Sequence, residues 1–368
     1  MGSNFKSEIF QITNCPKPKG LGNHHEGVDS LLNLMAHHGL KFYKTHEETN
    51  LGSTIGLIDS SDVVLVKVNA QWKYRGCTNS DVVRGLIQAI LEHPDGFLGE
   101  VVIFENGQSG GSLDCDTMWG RQYTDTGVHA NAEDESHSFS YLVDKVFADD
   151  RVSKYLLDPV RETFIDEEDH LTDGYRRTGE VSYPCFTSTK GNRVELKEGV
   201  WNGSTHDNNL KLINVPVLKH HDGCGVTGAV KSYYGILSMA DGWRRERHYE
   251  KLGAHCGEMI AKVRSPVLNI LDCIWVTQIK WAGYPPKNTT RLNKLLASID
   301  PVALDYWASK HLLHPIDRNE EHHPDKYPPL GNYLTQVRDL INSERGIFGH
   351  KVTLDETQMD IYSSQCGP

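Results

Sequence analysis

Residues 214–235, NVPVLKHHDGCGVTGAVKSYYG, bring Lys219, His220, His221, Asp222, Cys224 and Lys231 together directly behind the apolar run 213–218. A run of that length predicts a buried strand. The chemical groups therefore sit where a strand leaves its sheet, which in open α/β sheets is the edge that binds ligands. Lysine and histidine side by side suit proton transfer next to a carboxylate or phosphate. The ammonium stabilises the developing charge and the imidazole moves the proton.

Other groups occupy equivalent places. Run 63–66 leads to Lys67 and Asn69, run 101–104 to Glu105, Asn106 and Gln108, and run 267–271 to Asp272. If these runs are parallel neighbours, their polar ends converge on one rim. Lys67 interrupts an apolar run, so its ammonium must be paired or must reach solvent along its stem. Glu105 is its candidate ion-pair partner, or a general base, or a metal ligand. His220 and His221 are adjacent and point to opposite faces if the strand continues, so one of them faces the site. Cys224 is a nucleophile or soft ligand in one reading and a buried inert thiol in the other. Gly225, Thr227 and Gly228 precede a predicted helix whose first N–H groups could hold an anion, with Lys231 close by. His248 and His255 are seven residues apart, so one helix could present both to a metal. No H-E-x-x-H, G-x-S-x-G or P-loop pattern occurs.

The elements that must position these groups read as α/β. A helix is predicted over 27–39, with Val28, Leu31, Leu32 and Met35 on one face and Gly39 as its stop. A short strand follows at 41–44. Segment 62–69 (DVVLVKVN) is a buried strand, and Asn79 or Ser80 caps a helix running to about Glu92. Segment 100–104 is the next strand. Strand, helix, strand at this spacing is one βαβ unit, which favours parallel pairing. Residues 109–210 are polar and rich in Gly and Asp, with an amphipathic piece at 139–157 and the acidic run Asp166-Glu167-Glu168-Asp169. They read as an irregular insertion, and the acidic run as a solvated face without the alternating ligands of a calcium loop. The rhythm returns at 210, with strands at 210–218 and 267–271, helices at 227–237 and 257–263, and a helix capped by Asp300 with Pro301 in its first turn. One more helix is expected near 333–341. The expected fold is α/β: a mostly parallel sheet with flanking helices and a large insertion. The core is assigned to 1–108 and 210–345, the insertion to 109–209 and a tail to 346–368.

Bulk properties exclude some roles. A formal net charge of −11 over 368 residues argues against a nucleic-acid partner. Only Arg244, Arg245 and Arg247 form a basic cluster, read equally as a solvated face or a phosphate site. No apolar run is long enough to span a membrane. The eight cysteines include no Cys-x-x-Cys pair, which argues against a zinc ribbon or an iron–sulfur cluster. No export signal is visible, and both a cytoplasmic protein and an exported one whose signal has been removed stay open.

The ordered motifs VVLVKVN, a helix-opening Thr78, VPVLK-x-H with GVTGAVKSYYG, LNILD and LLASIDPVALDYWA resemble the domain-of-unknown-function family numbered 362, over roughly 60–108 and 210–313. The resemblance places Lys67, Asn69, Thr78, Lys219, His221, Thr227, Lys231, Asp272, Ser298, Asp300 and Asp305 on the family pattern, and it selects His221 over His220. It implies an α/β fold and no particular activity. Some members carry ferredoxin-type cysteine motifs, and this chain has none. His220 and Cys224 are not part of the pattern.

The sequence thus supports an enzyme acting on a small anionic or polyhydroxylated molecule, such as a carbohydrate acid, by lyase or isomerase chemistry. Lys67, Lys219 and His221 are the candidate catalytic groups. Asn69, Thr78, Thr227 and Lys231 are the candidate substrate ligands. Glu105, Asp272, His248 and His255 are the candidate ligands of a divalent metal. Metal-assisted hydrolysis and non-catalytic metal or ligand binding are the alternatives.

Overall fold

The computed structural model describes residues 6–18, 22–50, 56–117, 127–242, 246–279 and 289–367. Arg244 and Arg245, and the side chain of Arg247, lie outside the described residues. In chain order the strands are β1 Ser7–Thr13, β2 Tyr43–Lys44, β3 Ile58–Asp59, β4 Val63–Val68, β5 Glu100–Glu105, β6 Val152–Leu156, β7 Gly174–Thr178, β8 Val181–Thr187 and β9 Arg193–Glu195. They continue with β10 Gly199–Trp201, β11 His206–Asp207, β12 Leu210–Val215, β13 Val217–His221, β14 Gly225–Thr227, β15 Leu268–Thr277, β16 Thr289–Ser298 and β17 Met359–Gln365.

Ten strands form a mixed, mostly parallel sheet in the order β17-β1-β16-β15-β12-β4-β5-β6, with β13 on β15 and β14 on β13. β15, β12, β4, β5 and β6 run parallel, as the repeated strand–helix rhythm predicts. The helix Ser80–Leu91 joins β4 to β5 and is capped by Asn79, whose side chain accepts from the amides of Asp81 and Val82. The central strands are apolar on both faces because both are covered. Val63 and Leu65 of β4 enter one core with Val102 and Phe104 of β5, while Val64, Val66 and Val68 enter the other with Val101 and Ile103.

The insertion is not irregular. β7 to β11 form a separate antiparallel sheet of five strands in the order β11-β10-β9-β8-β7. Tyr175, Phe186 and Val194 from this sheet share an apolar cluster with Val63 and Leu65. Its polar composition conceals it, since short strands with Gly turns resemble loop.

Two further expectations change. Asp272 does not end its strand, because β15 continues to Thr277 and pairs antiparallel with β16 beyond a register shift between Cys273 and Trp275. The segment 227–237 is not one helix. It divides into β14, the helix Ala229–Tyr233 and a 3-10 turn at Tyr234–Ile236.

The feature that makes room for a site is a parting of strands. β12 pairs with β4 up to Val215. Pro216 interrupts it, and the chain resumes as β13, which follows β15 instead, with Val217 opposite Asp272 and Lys219 opposite Thr277. Proline has no N–H to give to the ladder, so a break there is chemically cheap. The side chain of Asn69 fills the gap: its Oδ1 accepts from the Val217 amide at 2.9 Å. Thr78 braces the same corner. Its hydroxyl accepts from the Asn69 amide at 2.8 Å and donates to the Val215 carbonyl at 2.6 Å. Thr78 is fully buried. Thr78→Val removes both bonds without changing the shape much. A loss of about 2–3 kcal/mol is expected, at about 1–3 kcal/mol per buried group left unsatisfied. Urea unfolding measures it, and an unchanged midpoint would contradict this account of the corner.

Candidate functional site

Past the parting, the ends of β4, β5 and β13 and the helix Ala229–Tyr233 enclose a cavity of about 470 Å³. Its lining includes Asn69, Glu105, Asn106, Gln108, Lys219, His220, His221, Thr227, Lys231 and His248, with Trp72, Tyr234 and Tyr249 as aromatic walls. Polar groups that follow the runs 63–66, 101–104 and 213–218 thus share one rim, whereas Asp272 after the run 267–271 is not among them.

Lys67 lies beneath the cavity and does not line it. Its ammonium is 2.8 Å from Glu105 Oε1 and donates to the Val68 carbonyl at 2.7 Å and to Ser232 Oγ at 3.3 Å. Glu105 also accepts from the amides of Asn106 at 2.9 Å and Ala70 at 3.2 Å. Burial pulls the lysine down and the carboxyl up, each toward its neutral form, and their mutual attraction opposes both shifts. A pair with this many internal bonds holds its charges as a charged floor. Both oxygens of Glu105 are engaged, so it is not poised to hold a metal.

Lys219 and Lys231 differ from Lys67. Lys219 donates to the Gly76 carbonyl. Burial drops its ammonium to about 7, against the pull of Cys77 and Glu105. An amine in that range is partly neutral near neutral pH and can act as a base or as a nucleophile. Lys231 is 8 % exposed. Its Nζ sits 4.7 Å from the centre of the Tyr234 ring, and no carboxylate or carbonyl oxygen hydrogen-bonds it among the described residues. Burial lowers it as well.

His221 Nδ1 lies 2.6 Å from the Asp222 carbonyl. A carbonyl only accepts, so Nδ1 carries the proton and Nε2 of the neutral ring presents a lone pair. Burial, then the charge of Lys231, holds His221 well below the usual histidine range. His248 Nε2 is 3.4 Å from His221 Nε2, and burial takes His248 down to about 2. Two neutral imidazoles thus face each other at the cavity wall.

The expectation that only one of the adjacent histidines would face the site is corrected, since His220 lines the cavity too. The chain leaves β4 after Pro216, and β13 is edged by the three-residue strand β14 instead, so that His220 and His221, near its end, both border the opening. His220 Nδ1 is 2.9 Å from Nε2 of the fully buried His322. Cys224 is buried and pushed up to about 11 by burial, which fits the inert reading.

The predicted anion cradle at the start of the helix Ala229–Tyr233 is also corrected. Asp305 already occupies it: its carboxylate accepts from the Ala229 amide at 2.6 Å and the Val230 amide at 2.9 Å. Gly228 is required for that approach, because a Cβ there would lie 2.2 Å from Asp305 Oδ1. Thr227 lines the cavity, while Thr78 braces the corner described above.

The four expected metal ligands do not come together. Asp272 is buried away from the cavity lining. It accepts from the amides of Asn79 at 2.8 Å and Ile274 at 3.0 Å, and burial raises it to about 7. His248 and His255 belong to separate helical segments, Glu246–Glu250 and Leu252–Glu258. His255 Nε2 approaches Glu180 at 3.6 Å. Among the described residues, the group that could hold a metal ion is instead His170, Glu195 and His206, in the insertion. Sequence reasoning misses it because the three come from a loop and two separate strands with no motif spacing. Asp300 and Ser298 are structural. Asp300 caps the helix Pro301–Ala308, and Ser298 Oγ donates to the Glu8 carbonyl at 2.7 Å.

No helix among the described residues is long and apolar enough to cross a membrane. Compared with curated proteins and with solved structures, the chain matches none. The segment holding Lys219, His221, Thr227, Lys231, His248, Asp272 and Asp305 is recognisable, however: residues 190–310 match the family model described as Domain of unknown function (DUF362).

Proposed function

We propose that the cavity binds a small molecule bearing a carboxylate or phosphate and works on it by lysine–histidine acid–base chemistry of the lyase or isomerase type. The observation that carries this reading is Lys231, a nearly buried ammonium on the cavity wall with no oxygen hydrogen-bonded to it among the described residues. A buried cation without a paired anion is costly, and a ligand oxygen would relieve that cost. Burial brings Lys219, on the same wall, down to about 7, so part of it is the neutral amine that can take a proton. His221 Nε2 offers a second acceptor once a ligand displaces its contact with His248. Trp72 and Tyr249 give the remainder of the ligand an apolar wall.

Inorganic phosphate and malonate are suitable probes. Each is expected to raise the melting temperature of the wild type, and Lys231→Met to weaken their binding at least tenfold while the fold stays intact by circular dichroism. Equal binding by Lys231→Met would defeat the proposal. For the chemical step, solvent deuterium should enter the bound acid next to its carboxylate, and Lys219→Met should slow that exchange.

One observation favours a second reading, metal-assisted hydrolysis. The 3.4 Å between His221 Nε2 and His248 Nε2 is near the spacing of two ligands on a tetrahedral ion with bonds of about 2.1 Å. Metal content that falls in His248→Ala would move the assignment there.

A further inference from the structure

The insertion gathers three metal-ligating side chains away from the large cavity. His170 follows the acidic run 166–169, Glu195 lies on β9 and His206 on the edge strand β11. His206 Nε2 is 2.9 Å and His170 Nδ1 3.7 Å from the same oxygen, Glu195 Oε2. All three ligand atoms fall within 4.8 Å of one another. We propose that these three side chains bind a divalent transition metal, zinc first among them, which fastens the loop before β7 to the edge of the five-stranded sheet.

The surroundings hold the ligands in place. The His170 ring stacks on Trp201 with centroids 4.0 Å apart and planes at 11°. The loop backbone is gripped from below: Arg193 Nε donates to the His170 carbonyl at 2.6 Å, and Arg176 donates to the Asp169 carbonyl at 2.8 Å. Arg176 also pairs with Glu195 Oε1, which fixes the carboxylate and leaves Oε2 facing the two imidazoles. An outer partner on the carboxylate's far oxygen is the usual support of a metal ligand. Two nitrogens and one oxygen suit zinc, cobalt or nickel far better than magnesium or calcium. Asp169 is not available as a fourth ligand through Oδ1, which caps its own turn by accepting from the Leu171 and Thr172 amides. Water or a buffer anion would complete the shell, since His170 and His206 are both partly exposed. Arg176 opposes the ion, because its guanidinium lies 3.4 Å from His170 Nδ1, so affinity falls below that of a closed structural site. The mechanical need is clear from the fold: β11 has two residues, and two register positions join it to β10.

The test uses the full chain, stripped with a chelator and titrated with zinc alone by calorimetry. One equivalent is expected, with His170→Gln and His206→Ala each weakening it at least tenfold and His248→Ala leaving it unchanged. Cobalt in place of zinc should give the visible absorption of a four-coordinate ion, lost in His206→Ala. Far-ultraviolet circular dichroism guards against misfolded variants. No zinc binding, or binding that survives both substitutions in the insertion, would overturn the proposal. Zinc lost only in His248→Ala would place the metal in the large cavity instead. Failure here leaves the lysine site untouched, since that site is probed by phosphate and malonate.

Discussion

Glu105→Ala is expected to cost about 3–5 kcal/mol, the loss typical of a buried ion pair deprived of one partner. The substitution leaves the Lys67 ammonium, 0 % exposed, without its counter-ion. It also orphans the amides of Ala70 and Asn106, which bond to the same carboxylate. The defect should depend on pH in one direction. A buried lysine without its partner has a depressed ammonium, so the unfolded chain holds the proton more readily than the folded one. Stability of the variant then rises with pH, and the deficit is smallest in alkaline solution. Urea midpoints across pH measure this. The double variant Lys67→Met with Glu105→Leu should recover much of the loss, because it removes the stranded charge rather than the pairing alone. A single variant as stable as the wild type would show that the pair does not act as the floor of the cavity.

Asp305→Ala ranks next. Two buried amides, Ala229 and Val230, lose their acceptor together, and about 2–4 kcal/mol is expected at about 1–3 kcal/mol per orphaned group. The helix that carries Lys231 would loosen, so binding of phosphate should weaken in parallel. Here too the sign with pH is fixed. Burial lifts the Asp305 carboxyl from 3.8 to about 7. Between those values the folded chain holds the proton more tightly, so stabilisation from this source is complete below about pH 4 and is lost as pH rises through about 7. The gap between wild type and variant should therefore narrow from acid to neutral pH. A gap that widens instead would mean that the paired amides outweigh burial and hold the carboxylate charged.

How much of this was legible depends on what each element buries. The β4 run DVVLVKVN announces itself because both faces of the strand are covered, and Asn79 and Asp300 announce their helices because a cap is a local device. β16 and β17 gave no such signal. β16 is only partly buried over its first six residues, and β17 ends exposed, so neither shows a clean alternation. The pairing of β1 with β17 joins the two ends of the chain, which no local pattern encodes. Lys219, His221 and Lys231 stood out as polar groups at the end of an apolar run. Trp72 and Tyr249 did not, because loop and short-helix residues reach the cavity only through tertiary packing. Asp272 misled for the same reason. Its strand does not stop where the apolar run does, and its carboxylate turns toward the Asn79 amide rather than the cavity. The acidic run at 166–169 drew attention to the right neighbourhood and the wrong residues, since the groups that could hold a metal are His170 beside it and two side chains from distant strands.

The parting at Pro216 has a consequence for how the protein can change over time. A sheet usually closes on itself because every free amide seeks a carbonyl. Here one carboxamide, that of Asn69, satisfies the amide that the opening would otherwise leave bare. The mouth is thus a seam pinned by Asn69, which the Thr78 hydroxyl holds in turn. A change at position 69 is therefore the one this opening tolerates least, since it would leave the Val217 amide bare at the start of the strand that carries Lys219 and His221.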